Sequence, residues 1–153
     1  CYTFAMNRPT LKQIQEMVDT DLAIDRTELE AESARSPQIH NKYLRLYTET
    51  RNILHSLRLE KSRVKKLKWL YYNGKLSQEE LEANNLEPFQ HKILKTDMQT
   101  FLDADDDLQK VTAKILMNEE IENYLDKVLS EISNRRWTIR NMIEWLKFTN
   151  GVN

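Results

Sequence analysis

Residues 36–74 read SPQIHNKYLRLYTETRNILHSLRLEKSRVKKLKWLYYNG, and their periodicity decides the fold class. Ile39, Tyr43, Leu46, Thr50, Ile53 and Leu57 recur by fours and threes, which is the seam of a heptad repeat. The seam continues, weakened by Glu60, through Val64, Leu67 and Tyr71 to Asn73-Gly74, an expected helix stop. Ser36-Pro37 supplies a start signal, a capping residue followed by proline at the first helical position. A helix of about 37 residues is roughly 55 Å long, too long for one small domain to bury, so it calls for partner helices, with other subunits as their expected source.

Outward from this helix the chain keeps to one secondary-structure type. Leu11, Ile14, Val18 and Leu22 predict a first helix over about 10–21, and Asp25 with Glu28 predicts a short second one. Ser77 and Glu80 form a capping box, with Leu76 and Leu81 as its hydrophobic staple. Asn84 to Pro88 breaks that short helix, and Ile93 to Leu102 suggests another. Leu108, Val111, Ile115, Ile121, Leu125, Val128 and Ile132 mark a second long helix. Thr138 is read as the cap of a last one, stopped by Asn150-Gly151. No segment alternates with period two, and two glycines with three prolines in 153 residues are too few for a sandwich or barrel. The fold class is all-α.

Composition closes off several chemistries. The glycine count excludes glycine-rich phosphate loops, and a single cysteine, Cys1, excludes an internal disulfide framework and cysteine-based zinc sites. Asp103 to Asp107 fails as a calcium loop, since Leu108 and Lys114 stand where such a loop needs Gly and Glu. His40, His55 and His91 share no metal-ligand spacing, and no strand–turn–helix elbow exists to hold a nucleophilic serine. The reading is a non-enzyme without metal or cofactor. No apolar run approaches the roughly 18 residues of a membrane span. Met6 is the first methionine, so Cys1 to Ala5 is read as an appended remnant, and the compartment as reducing and soluble.

The formal net charge of -1 conceals a division along the chain. Residues 6–41 carry four basic and seven acidic side chains; residues 42–75 carry ten and two; residues 76–107 carry two and nine; residues 108–153 carry seven and six. The expected organisation is N-terminal helices with a basic helix over 6–75, an acidic connector over 76–107, and C-terminal helices over 108–153. At about 100° per residue, Arg51, Arg58, Lys61, Lys65, Lys68, Trp69 and Tyr72 share an arc of roughly 100°. Glu partners four residues on are nearly absent, so this stripe suits a phosphate backbone with aromatic rings beside it. Near the C-terminus, Ile139, Met142, Ile143, Trp145, Leu146 and Phe148 make a helix apolar over more than one face, the pattern of an oligomer interface. Arg135, Arg136 and Arg140 flank Trp137.

Four stretches in collinear order carry a resemblance. Lys66-Leu67-Lys68-Trp69-Leu70-Tyr71-Tyr72-Asn73-Gly74 resembles the basic-x-basic-x-x-Tyr-Tyr-x-Gly signature of the UvsY recombination mediators of T4-like phages. Ile24 to Leu29, Leu102 to Lys110, and Ile132 to Arg140 are similar to three further stretches of that family, so the likeness spans Met6 to Gly151. Asp106 and Arg136 depart from the pattern, standing where lysine and glycine are common. The resemblance implies a helical ring- or barrel-like hexamer or heptamer in the cytoplasm of an infected bacterium. It also implies binding to single-stranded DNA covered by the phage single-strand-binding protein, and loading of the RecA-like recombinase UvsX without nucleotide hydrolysis. The family's DNA-contacting basic pair falls on Lys66 and Lys68, and its assembly region on the C-terminal helices. Lys66 lies about 160° around the helix from Lys68, so one strand does not easily engage both. The rival reading is a helical scaffold whose basic face docks an acidic protein.

Overall fold

The computed structural model describes residues 8–151, and among them every regular element is an α-helix. They are α1 (Leu11–Leu22), α2 (Leu29–Tyr72), α3 (Gln78–Ala83), α4 (Met98–Asp103) and α5 (Asp106–Thr149). The all-α expectation holds. Residues 1–5, read as a remnant, lie outside the described residues. No described helix is long and apolar enough to cross a membrane.

The chain forms two compact units that cut across the segments read from charge. Unit 1 contains α1, α2 through Arg51, and α5 from Glu120 onward; unit 2 contains residues 52–119. In unit 1, Ile14 and Val18 of α1 pack with Ile39 and Tyr43 of α2 and with Ile121, Leu125, Val128 and Ile132 of α5. The 3–4 spacing of these side chains places them on one stripe of each helix, so three stripes close a single core. In unit 2, Leu54 packs against Val111 and Ile115, with Leu57 and Val64 at the edge.

Local chemistry starts and stops the helices. Thr10 caps α1 in a reciprocal box with Gln13, and Ser77 caps α3 in the same way with Glu80. At the end of α2, Gly74 takes φ +62, its N–H donates to the Tyr71 carbonyl, and the Lys75 N–H reaches back to Leu70 at 2.9 Å. This is a Schellman closure, and its left-handed position suits glycine. Asn85, at φ 52, closes α3 similarly through a Leu86 to Leu81 bond.

Three expected boundaries are overturned. No separate short helix follows Asp25; its carboxylate accepts from the Thr27 N–H and hydroxyl, forming a turn that leads into α2. Ser36-Pro37 does not start the long helix, because α2 begins at Leu29 and runs through Pro37. A proline inside a helix costs about 3 kcal/mol, and tertiary anchors offset it. Leu29 is buried, the Arg35 guanidinium donates to the Asp21 and Ala23 carbonyls, and Glu32 pairs with Arg135 of α5. Thr138 caps nothing: α5 is continuous through it, and its hydroxyl points back toward the Asn134 carbonyl. No Gly or Pro breaks the helix there, and Arg135 and Ile139 are both buried in unit 1.

Candidate nucleic-acid interface

The basic part of α2 within unit 2 has two sides with different electrostatics. On the side turned to α5, Lys68 is buried and its ammonium sits 2.7 Å from Asp107 and 3.1 Å from Asp105. Burial alone would lower the Lys68 pKa, but hydrogen bonds and charge from the two carboxylates outweigh it and hold the pKa above its ordinary value. Asp105 is the hub. One carboxylate oxygen accepts from the N–H groups of Asp107 and Leu108, capping α5, and the other accepts the Tyr72 hydroxyl at 2.8 Å. Burial works against its ionised form, yet these donors and Lys68 keep its pKa below the usual carboxylate value. The Tyr72 ring is packed in a cluster with Tyr71, Phe89 and Phe101, its phenol pKa raised by burial and by Asp105.

Lys68 and Tyr72 therefore leave the expected DNA-facing stripe. Both polar heads are satisfied inside unit 2, and neither offers solvent a free charge. Arg58 is exposed but donates to Glu119 at 3.0 Å, so a polyanion must compete for it. Arg51 belongs to unit 1, where it lies 3.5 Å from Glu122. Such exposed pairs are worth little and exchange readily.

The cations left over have no such partners, and apart from Lys61 they stand toward the outer side. Arg63, Lys65 and Lys66 are exposed, Lys61 is half-buried, and none of the four makes an ion pair among the described residues. Trp69 is 41% exposed on the same outer face, with the Lys75 ammonium 4.8 Å from its ring centroid. At 100° per residue Arg58, Ser62, Lys65, Lys66 and Trp69 fall in one arc of about 100°, and Arg63 lies about 60° beyond it. Unpaired cations keep their counterion atmosphere until a polyanion displaces it, and an exposed indole offers a stacking surface.

Against this geometry stands a match of the sequence. The profile of the family described as "Recombination, repair and ssDNA binding protein UvsY" matches residues 17–152. The chain belongs to the UvsY family. The recombination protein UvsY of Enterobacteria phage T4 is 24% identical over 141 residues, covering 92% of this chain and 98% of that protein. Crystal structures of the bacteriophage T4 recombination mediator protein UvsY share the fold. Lattice type II superposes with a TM-score of 0.81 at 22% identity, covering 94% of this chain and 99% of that one. Lattice type I superposes with a TM-score of 0.79 at 23% identity, covering 89% and 98%.

Within this UvsY fold the C-terminal apolar residues divide. Ile139 is 2% exposed and is spent on the core of its own chain, which removes it from the expected oligomer interface. Met142 and Ile143 are half-buried. Trp145 at 66%, Phe148 at 73% and Leu146 at 43% stand on the surface, with the Trp145 and Phe148 rings 6.0 Å apart. Arg63 escapes a reading of the sequence because it lies off the arc centred on Lys61 and Tyr72. Trp69 belongs to the expected stripe, and unlike Tyr72 it stays at the surface, near Ser62 and Lys66 on the helix. Arg135 is spent on the fold: it donates to the Leu22 carbonyl at 2.7 Å and pairs with Glu32.

Proposed function

We propose that this chain is a recombination mediator. It binds single-stranded DNA and promotes loading of a RecA-like phage recombinase onto DNA covered by single-strand-binding protein. The observation that carries the reading is the outer face of α2 in unit 2. There Lys65 and Lys66 stand exposed without carboxylate partners among the described residues, beside Trp69, with Arg63 exposed farther around the helix, in a chain of a family described as ssDNA binding. The T4 relative's designation as a recombination mediator supports the loading step.

Each subunit presents only a few cations, so one face holds DNA weakly. A homo-oligomer of six or seven copies, assembled through the exposed Trp145, Leu146 and Phe148, raises the effective concentration of the remaining faces once one is engaged. DNA is then retained while each contact stays exchangeable, which suits a protein that takes a strand from one partner and passes it to another. The work is done by binding alone, without nucleotide hydrolysis or cofactor, in the cytoplasm of the infected bacterium.

The test is fluorescence anisotropy of a labelled single-stranded oligonucleotide titrated with salt, with light scattering on the same sample. Affinity falling steeply with salt on a particle of several subunits is expected, with a slope of about 0.7 per cation engaged. Recombinase assembly on DNA covered by single-strand-binding protein should then accelerate when the chain is added. Absence of binding at low salt overturns the reading and returns the basic face to an acidic protein partner.

A further inference from the structure

We propose that a cleft on the flank of unit 2, walled by Lys61 and Lys65, is a subsite that accepts a base of single-stranded DNA turned out of the stack. It rests on the DNA-binding reading above and adds a specific pocket to it. The cleft has a volume of about 410 Å³, ample for one nucleotide. Lys61 and Lys65 stand one helical turn apart on its α2 wall. Lys61 is half-buried, so its ammonium is confined near the cleft without a fixed counter-charge among the described residues. Asp103 lies at the rim, but its carboxylate accepts the Gln99 amide at 2.6 Å and does not pair with either lysine.

The rest of the lining is partly apolar, with Gln99, Gln109 and Thr112 among leucine and alanine side chains. Leu102 and Leu108 form a buried floor, and Leu116, 57% exposed, and Ala113 rise beside it. An exposed leucine beside two unpaired ammonium groups fits a ligand with both an anion and a flat apolar face. A nucleotide is such a ligand: its phosphate meets the lysines and its base lies against Leu116 and Ala113. A phosphodiester chain on the outer face of α2 reaches the cleft through Lys65, which borders both. An acidic peptide would use the lysines but leave the apolar part of the lining uncovered.

The experiment compares a labelled oligothymidylate with an abasic strand of equal length, using the full chain. Ala113 is exposed on α5, so Ala113→Trp fills the cleft without changing charge. Expected is a loss of about five-fold or more in affinity for the base-bearing strand, an unchanged salt slope, and unchanged binding of the abasic strand. If the wild-type chain binds DNA and Ala113→Trp binds both strands as the wild type does, the subsite is wrong while the DNA-binding reading stands. If the wild-type chain binds neither strand at low salt, both fail. Should circular dichroism show Ala113→Trp unfolded, photocrosslinking of wild-type protein to 5-iododeoxyuridine strands decides. Adducts within residues 99–116 are expected, and adducts confined to Trp69 and its neighbours overturn the proposal.

Discussion

Lys66 and Lys68 are two positions apart on α2 and point to opposite sides of it: Lys66 is exposed and unpaired among the described residues, whereas Lys68 is buried between Asp105 and Asp107. The basic-x-basic signature therefore contains one exposed, unpaired cation and one spent on the fold. Lys66→Ala is expected to lower single-strand affinity several-fold, reduce the salt slope by about 0.7, and leave the melting temperature unchanged. Lys68→Ala is expected to destabilise unit 2 by about 3 kcal/mol, since it strands a buried carboxylate. Anisotropy and thermal melts on both variants check this; a Lys68→Ala protein that melts like wild type but no longer binds DNA would reverse the assignment.

The acidic partner gives the pair a pH signature. Asp105 has a depressed pKa in the fold, so its stabilising contribution is full above the ordinary carboxylate value of 3.8 and is lost as pH falls through the lower folded value. Lys68 has a raised pKa, so its contribution is full below 10.5 and is lost as pH rises through the higher folded value. Stability should be flat between these limbs. Asp105→Asn should lower the plateau and flatten the acid limb, because the amide no longer titrates. Denaturant melts at constant ionic strength across the acid range measure it; parallel curves for the two proteins would place the acid limb elsewhere.

Unit 1 contains the counterpart. Arg135 and Glu32 meet with side chains almost entirely buried, 103 residues apart in sequence. Stranding one partner of such a pair costs about 3–5 kcal/mol, and Arg35, 3.0 Å from the same Glu32 oxygen, keeps it partly paired, so Arg135→Ala should lower the melting temperature clearly but by less than that full cost. Arg136→Ala, which removes an exposed guanidinium 5.4 Å from the Trp137 ring, should leave the melt near wild type. Equal effects from the two would show that the Glu32 pair contributes little.

What is legible in the sequence is what local hydrogen bonding decides. The Ser77–Glu80 box and the Asn73-Gly74 stop are written in residues three or four apart, and they stand where expected. The amphipathic stripes of α1, α2 and α5 are legible because burial follows helical period. Two of the three misread boundaries share a cause. Pro37 and Thr138 carry local stop or start signals, and contacts from distant residues override both. Within the site, Lys66 and Lys68 have the same side chain and the same neighbourhood in sequence. Only Asp105 and Asp107, nearly forty positions farther along the chain, separate them. Lys68 stands fourteen positions after the buried Leu54, so heptad register places it on the α5-facing side, but nothing in that spacing shows what satisfies its charge.

Trp69 tests whether bases, as well as phosphates, meet the outer face of α2. Its ring is accessible and backed by Lys75. Trp69→Ala should reduce affinity for base-bearing strands by about 1–3 kcal/mol per stacked base with little change in salt slope, and Trp69→Phe should recover most of it. Equal losses for the Ala and Phe variants would point to a packing role for the indole instead.

The last expectation concerns assembly. Trp145 and Phe148 expose most of their area on α5, with their rings 6.0 Å apart, and the proposed assembly places a subunit contact on them. If it joins subunits, Trp145→Asp or Phe148→Asp should reduce the particle mass in light scattering while the helical circular dichroism and the protomer melt are kept. DNA affinity should then fall much further than any single cation on α2 accounts for, because linked faces no longer share one strand. Ile139→Ala should behave differently, destabilising unit 1 through an internal cavity by about 2–5 kcal/mol, whatever the particle mass. A Trp145→Asp protein of wild-type mass would move the subunit contact to another surface and leave the exposed aromatics for a different partner chain.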